Sequence, residues 1–301
     1  MISYVTRNRL EIDKYNECIA TSIQTNVFGY SWYLDIVCDN WGVLVYNNYD
    51  AVMPLPWRKK MLITYVYPPL WLIQLGIYSK GVEDENEFLI ELFSKFKFVE
   101  LRMNAKNSFS MFHKFQKEKQ LQILSLNQEY EAIKNNYNRN RKRELQKAEK
   151  LDLVENWNDH PGILIHLFKD NVGKRVRKIE KRDYENLRRL MEVCIEKKIG
   201  ELLTVYDKNN KLVSGAFFLK YQKRVTELVC SSDFNNRNNG ANTFMNDRAI
   251  YKYCNHFEIF DFGGSSMKNI ADYYRSFGAV DENYIQLHYN NLPKLLQLIK
   301  R

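Results

Sequence analysis

Residues 257–279 read FEIFDFGGSSMKNIADYYRSFGA, and the fold of the second half of the chain turns on them. The apolar run at 257–262 predicts a buried strand, and Gly263 with Gly264 a tight turn. Ser265 or Ser266 then caps a short helix that Gly278 stops. Glycine has no Cβ and tolerates positive φ, so a turn built on two of them lets a ligand come close to the backbone. The same residues also serve an ordinary strand-to-helix turn, and the stretch alone does not choose between the two.

The elements before it are the most regular in the sequence. Runs of β-formers at 202–206, 212–221 and 225–231, separated by turns at 207–210 and 222–224, predict a three-stranded meander. A polar loop, SSDFNNRNNG, leads into a helix over 241–255. The free N–H groups of that helix, at 239–243, face the end of the last meander strand and offer an anion site. Further upstream a basic amphipathic helix covers 130–150, followed by a strand at 152–156, a helix from Pro161, and a basic loop with a long helix within 169–198.

The first half predicts helices at 8–23 and 28–41 and a hairpin of strands 42–46 and 51–55 around a turn at 47–50. Two strands within 61–78 meet at Pro68-Pro69, a helix covers 83–96, and strands lie at 98–103 and 121–126. At 301 residues and 45% hydrophobic content the chain can fill two cores. The expected domains are 1–128 and 129–284, with 285–301 available to complete the first.

The charge is concentrated. Residues 134–150 carry seven basic and two acidic groups and residues 169–189 nine and four, which together exceed the net +9 of the chain. A localised basic surface points to nucleotide phosphates, a phosphorylated substrate or RNA; a solvated helix face has the same composition. Five cysteines, odd in number and widely spaced, fit reduced thiols in a cytoplasmic protein and no structural zinc or other metal site. The N-terminus lacks the apolar core of a signal peptide. The uncharged stretch 61–78 is broken by prolines, which excludes a transmembrane span and leaves room for a peripheral membrane contact.

Three passages, taken in order, resemble the acyl-CoA N-acyltransferase (GNAT) superfamily and its FemABX-like transferases: NRNRKRELQKAEK (138–150), LLTVYDKNNKLVSGAFFL (202–219) and IFDFGGSSMKNIADYYRSFGA (259–279). SWYLDIV (31–37) and VMPLPWRKK (52–60) extend the likeness into the first half. DFG also occurs in protein kinases, but the glycine-rich loop, VAIK-like strand and HRD loop of a kinase do not precede it here.

The resemblance implies an α/β protein of two tandem GNAT-like domains, each a mixed, mostly antiparallel sheet flanked by helices. It implies an enzyme that moves an acyl or aminoacyl group from acyl-CoA or aminoacyl-tRNA, a co-substrate rather than a tightly bound cofactor. The acceptor is an amine in the cleft between domains, such as a cell-wall (peptidoglycan) precursor. The donor phosphates fall to Arg237, Asn239, Gly240, Ala241, Asn242 and Thr243, where RNNGAN departs from the family loop at Asn242.

The lysine of FemABX-like sites aligns with Tyr274, which can donate a hydrogen bond to an oxyanion or leaving group but is neutral near pH 7; either Arg275, one residue on, supplies the charge, or the chemistry differs, or catalysis is lost. Removal of Arg275 is expected to abolish transfer. Arg175, Tyr184, Gly263 and Gly264 align with the acceptor side. Asp261 is either a group that orients or deprotonates the amine or a strand-end cap. Glu227 is either an alternative base or a solvent-facing strand residue. Cys230 and His256, without triad partners, read as packing residues. The other class of function is a non-catalytic binder of RNA or another polyanion through the basic helix 134–150.

Overall fold

The computed structural model describes residues 1–60, 62–81, 84–176, 179–264 and 267–293, and at positions 236 and 237 the backbone alone. The chain divides into two compact units, Met1–Lys119 together with the chain from Asn283, and Gln120–Glu282. The division precedes the change of composition at Tyr130, because residues 123–125 already pair with a strand of the second unit.

In the first unit β1 (Ile2–Thr6), β2 (Asn40–Tyr46), β3 (Ala51–Lys60) and β4 (Ile63–Val66) pair antiparallel in that order. The short β5 (Tyr78–Ser79) joins β3, and β6 (Phe98–Arg102) lies parallel to β4 and antiparallel to residues 286–290. Helices α1 (Ile12–Thr21), α2 (Ser31–Val37) and α3 (Asn86–Lys95) flank the sheet. Tyr15, Ile19, Tyr33, Leu34, Tyr78 and Phe88 are fully buried between the layers. The sequence does not announce β1, whose six-residue neighbourhood has little pattern of its own and is held by pairing with β2. β3 also runs past the predicted stop at Pro56. Pro54 and Pro56 fall between the parts of β3 that pair with β5 (51–52) and with β4 (57–60), so no rung is lost on that edge.

The second unit begins within β7 (Gln116–Ser125). The basic segment forms two helices rather than one, α4 (Tyr130–Asn135) and α5 (Arg139–Lys150). Asn138 makes the break: its side chain accepts from the N–H groups of Asn140 and Arg141, both at 3.0 Å, and so starts a new helix. Next come β8 (Val154–Asn156), α6 (Pro161–Phe168), α7 (Lys181–Glu196), β9 (Gly200–Tyr206), β10 (Leu212–Tyr221) and β11 (Arg224–Ser232). They are followed by α8 (Ala241–Tyr253), β12 (Ile259–Asp261), α9 (Lys268–Arg275) and β13 (Val280–Asn290).

The meander β9-β10-β11 is antiparallel throughout; β8 extends it at β9, and β12 joins β11 in parallel and residues 123–125 antiparallel. α6 packs on β10 and β11, α7 on β9, and α8 on β9 and β10. Each unit is thus a mixed, mostly antiparallel sheet with helices against it. Among the described residues no helix is long and apolar enough to cross a membrane.

The strand predicted over 257–262 contains only three residues. Gly263 and Gly264 turn it at φ +69° and +67°, and a Cβ on Gly264 would stand 2.8 Å from the Cα of Leu121. Two consecutive left-handed residues against a neighbouring backbone admit glycine and little else. The predicted caps Ser265 and Ser266 lie outside the described residues.

Candidate active site

The parallel pairing of β11 with β12 covers only Arg224–Thr226 against Ile259–Asp261, after which β12 ends while β11 continues to Ser232. Just past the last shared rung β11 bulges. Phe218 faces Glu227 and Phe217 faces Val229, which leaves Leu228 as the extra residue. The strands therefore part at Glu227.

Glu227 is 3% exposed, not the solvent-facing strand residue that was the alternative to a base. Its Oε1 accepts from the Tyr274 hydroxyl at 3.3 Å, and its Oε2 is buried with no hydrogen-bond partner among the described residues. Burial pushes its carboxyl up to about 7, against the pull of the Cys230 thiol and the Tyr274 hydroxyl. Tyr274 is buried too, its ring stacked on Phe262 at 4.6 Å. A carboxyl that titrates near neutrality, with one oxygen unengaged, has the properties of a general base.

Asp261 is equally buried but differently held. Arg224 lies 2.9 Å from its Oδ2, and the N–H of Gly263 donates to its Oδ1 at 2.9 Å. Burial raises its pKa, and Arg224 and the Gly263 N–H oppose that. Arg224 also pairs with Glu282 at 2.7 Å. Both oxygens of Asp261 are engaged, so it closes the turn and anchors β12 rather than presenting a free base.

Arg275 and Tyr274 are neighbours on α9 with opposite surroundings. Arg275 is partly exposed and held by Asp272 at 2.7 Å and Asp281 at 2.9 Å. Its guanidinium drives Asp281 below the usual carboxylate range. Successive residues of a helix point about 100° apart, so the residue that reaches Glu227 is Tyr274. The expectation that Arg275 supplies the charge of the site has no support in its contacts.

The predicted donor loop is largely satisfied from within. Gly240 sits at φ +77° before α8, where a Cβ would lie 2.5 Å from the carbonyl oxygen of Glu144. Asn239 caps the N–H of Ala241 at 2.8 Å, and Asn242 donates to the Tyr273 hydroxyl at 2.8 Å. The Thr243 hydroxyl is buried between the Glu144 carboxylate and Arg141, which lies 2.6 Å away. The side chain of Arg237 lies outside the described residues.

Arg175 stacks on Phe234, 4.0 Å from the ring centre, whereas Tyr184 packs on Phe168 under Lys169. These two predicted acceptor residues have separate neighbours. Gly263 and Gly264 serve the turn already described.

Cys230 stands beside the candidate base rather than in plain packing, and all five cysteines are free. His256 is exposed. Among the described residues no cluster of three or more His, Cys, Asp or Glu side chains is placed to hold a metal ion. Sequence patterns did not single out Arg224, Arg141, Glu144 or Tyr273. Each works through a partner 30 or more residues away or on a neighbouring helix turn, and no local spacing encodes that.

No protein-family profile and no curated protein sequence matches the chain. Solved structures do. FemX superposes with a TM-score of 0.67 at 13% identity, over 97% of this chain and 99% of that one. The fold is that of FemX. A tandem GNAT protein from the clavulanic acid biosynthesis pathway matches at TM-score 0.59 and 9% identity, over 98% of this chain and all of the other. L-PGS from Bacillus licheniformis matches at 0.54 and 11%, over 95% and 94%. The FemX-like fold thus spans both units, as the resemblance of the three passages implied.

Proposed function

We propose that the protein is an acyltransferase or aminoacyltransferase, in which Glu227 takes the proton from an attacking amine. The observation that carries this is the buried carboxyl at the fork of β11 and β12, raised to about 7 with Oε2 unengaged. The amine nitrogen bonds to the donor carbonyl carbon, and its proton passes to Glu227. The C–S bond of a thioester or the C–O bond of an aminoacyl ester then breaks, and the leaving group takes a proton. The hydroxyl of Tyr274, already at Glu227, is the nearest candidate to supply it, and it takes back a proton from Glu227, which returns both groups to their starting state.

Two kinds of neighbour bear on the donor. AcCoA is named with the tandem GNAT protein, which supports a coenzyme A thioester. FemX, L-PGS and a putative lysylphosphatidylglycerol synthetase domain from Agrobacterium fabrum favour an aminoacyl group, with aminoacyl-tRNA as its source. Either donor bears phosphates and is made in the cytoplasm, where this reading places the protein. A cell-wall precursor amine is the acceptor that the FemABX resemblance suggests.

The test is Glu227→Gln, which keeps shape and removes the base. Turnover of acetyl-CoA or aminoacyl-tRNA with amine acceptors should fall by ~10² to 10⁴, with donor binding retained. The rising limb of the wild-type pH–rate profile, near 7, should vanish. Unchanged turnover in the variant rejects the assignment.

A further inference from the structure

A second feature of this unit lies away from the fork. Asn140, Arg143, Glu144 and Lys147 of α5 line one side of an open groove of about 300 Å³, and Asn238 and Gly240 line the other. Their spacing along α5 is that of a single helix face. Among the described residues no apolar side chain lines the groove, so an apolar ligand would find nothing there to bury against. Arg143 and Lys147 are exposed, and neither has an ion-pair or hydrogen-bond partner among the described residues. Among the described lining residues Glu144 is the one acid, and it is neutralised by Arg141 at 2.8 Å and engaged with Thr243. Among the described residues the groove therefore carries two uncompensated positive charges, Arg143 and Lys147.

The wall opposite α5 is fixed in place. Gly240 approaches the carbonyl of Glu144 more closely than any side chain would permit, and the ring of Tyr273 lies against Arg141 at 4.4 Å. Elsewhere on the unit, the groove between α6 and α7 is also basic, but of its three described lysine and arginine side chains two have carboxylate neighbours and the third, Lys169, sits over the Tyr184 ring. Lys181 lies 3.7 Å from Glu185 and Arg188 3.8 Å from Glu192, whereas Arg143 and Lys147 have no such neighbour among the described residues. Uncompensated cations on a polar, walled groove are what phosphate recognition requires.

We infer that Arg143 and Lys147, with Asn140 and Asn238, form a phosphate subsite that holds the donor from the α5 side. This rests on the proposed transferase function and adds to the α8 loop a set of contacts from another element. The shared chemistry is a phosphate ester or diphosphate, and the source is either coenzyme A or the backbone of an RNA.

The experiment is titration calorimetry of the full chain with inorganic pyrophosphate, coenzyme A and deacylated tRNA. It compares the unsubstituted protein, Arg143→Glu/Lys147→Glu, and Arg139→Glu/Lys150→Glu. The last pair makes the same change of charge on α5 outside the groove and tests for a merely general electrostatic effect. The expected result is binding of pyrophosphate and of one larger ligand, weakened at least ~tenfold by the groove pair and much less by the control pair, with a shallower salt dependence. Tight coenzyme A with weak tRNA names the first source, and the reverse names the second.

Equal loss in both pairs, no loss in the groove pair, or no binding of any of the three ligands overturns the subsite. Glu227→Gln separates the two proposals. If it retains activity while the groove pair loses binding, the base is wrong and the subsite stands; if it loses activity while the groove pair binds normally, the subsite is wrong and the base stands.

Discussion

The paired part of β11 and β12 and the part just beyond it each contain one carboxylate that is 3% exposed, and the two behave differently. Asp261, within the pairing, has a guanidinium and a backbone N–H as partners. Glu227, one position past it, has a tyrosine hydroxyl on one oxygen and nothing on the other among the described residues. Equal burial therefore yields an anchor in one place and a titrating group in the other. What separates them is the charge of the neighbour, since desolvation acts on both.

The largest effect that could break this contrast comes from the anchor. Arg224→Met strips Asp261 and Glu282 of their shared cation and should cost about 3 kcal/mol, the lower end for breaking a buried pair because Arg224 keeps some exposure. Urea unfolding at pH 7 reads it directly. A loss near zero would mean that Asp261 is protonated and that the two carboxylates are alike after all.

A comparable effect, of opposite sense, is expected at the fork. Folded Glu227 keeps its proton up to about 7, whereas the unfolded chain releases it near 4.5. The folded state thus binds more protons in that interval, and stability contributed by this group falls as pH rises through it and is fully lost above 7. Glu227→Gln does not titrate. Its stability relative to the unsubstituted protein should improve by about 3 kcal/mol between pH 4 and pH 8. A constant difference across that range would put Glu227 at its ordinary value.

Smaller changes sharpen the comparison. Tyr274→Phe removes the hydroxyl that favours the ionised form of Glu227 and is proposed to protonate the leaving group, so the limb of the pH–rate profile should move to higher pH and the rate drop ~10²-fold. A limb that stays in place would show that the hydroxyl does not bear on the base. The smallest effect is expected from Arg275→Ala, whose partners are partly exposed surface carboxylates. Its rate should stay within about threefold of the unsubstituted protein and its melting temperature close to it. An inactive Arg275→Ala would return the charge of the site to that residue.

Much of the second unit was legible in its sequence because its signals are local. The meander has turn residues between β-branched runs, α8 follows a glycine, and Gly263-Gly264 needs a left-handed turn. The position of Glu227 was not legible. A strand covered on both faces loses its alternation, as Val225, Thr226 and Glu227 are all buried, and the bulge at Leu228 then resets the parity. Nothing in RVTELVCSS marks where the extra residue falls. The break at Asn138 could have been found, since an asparagine ahead of a polar helix is a start signal, but the polar composition that continues on both sides of it hid the boundary. The contrast between Tyr274 and Arg275 was out of reach, because it depends on which side of α9 faces β11.

α9 links the two parts of the proposed transferase site. It is only eight residues long, and its two adjacent tyrosines hold different things: Tyr273 receives a hydrogen bond from Asn242 at the start of α8, and Tyr274 donates one to Glu227. A rotation that withdraws one ring from its partner also displaces the other, so a ligand that settles at the head of α8 and a proton that leaves Glu227 act on the same lever.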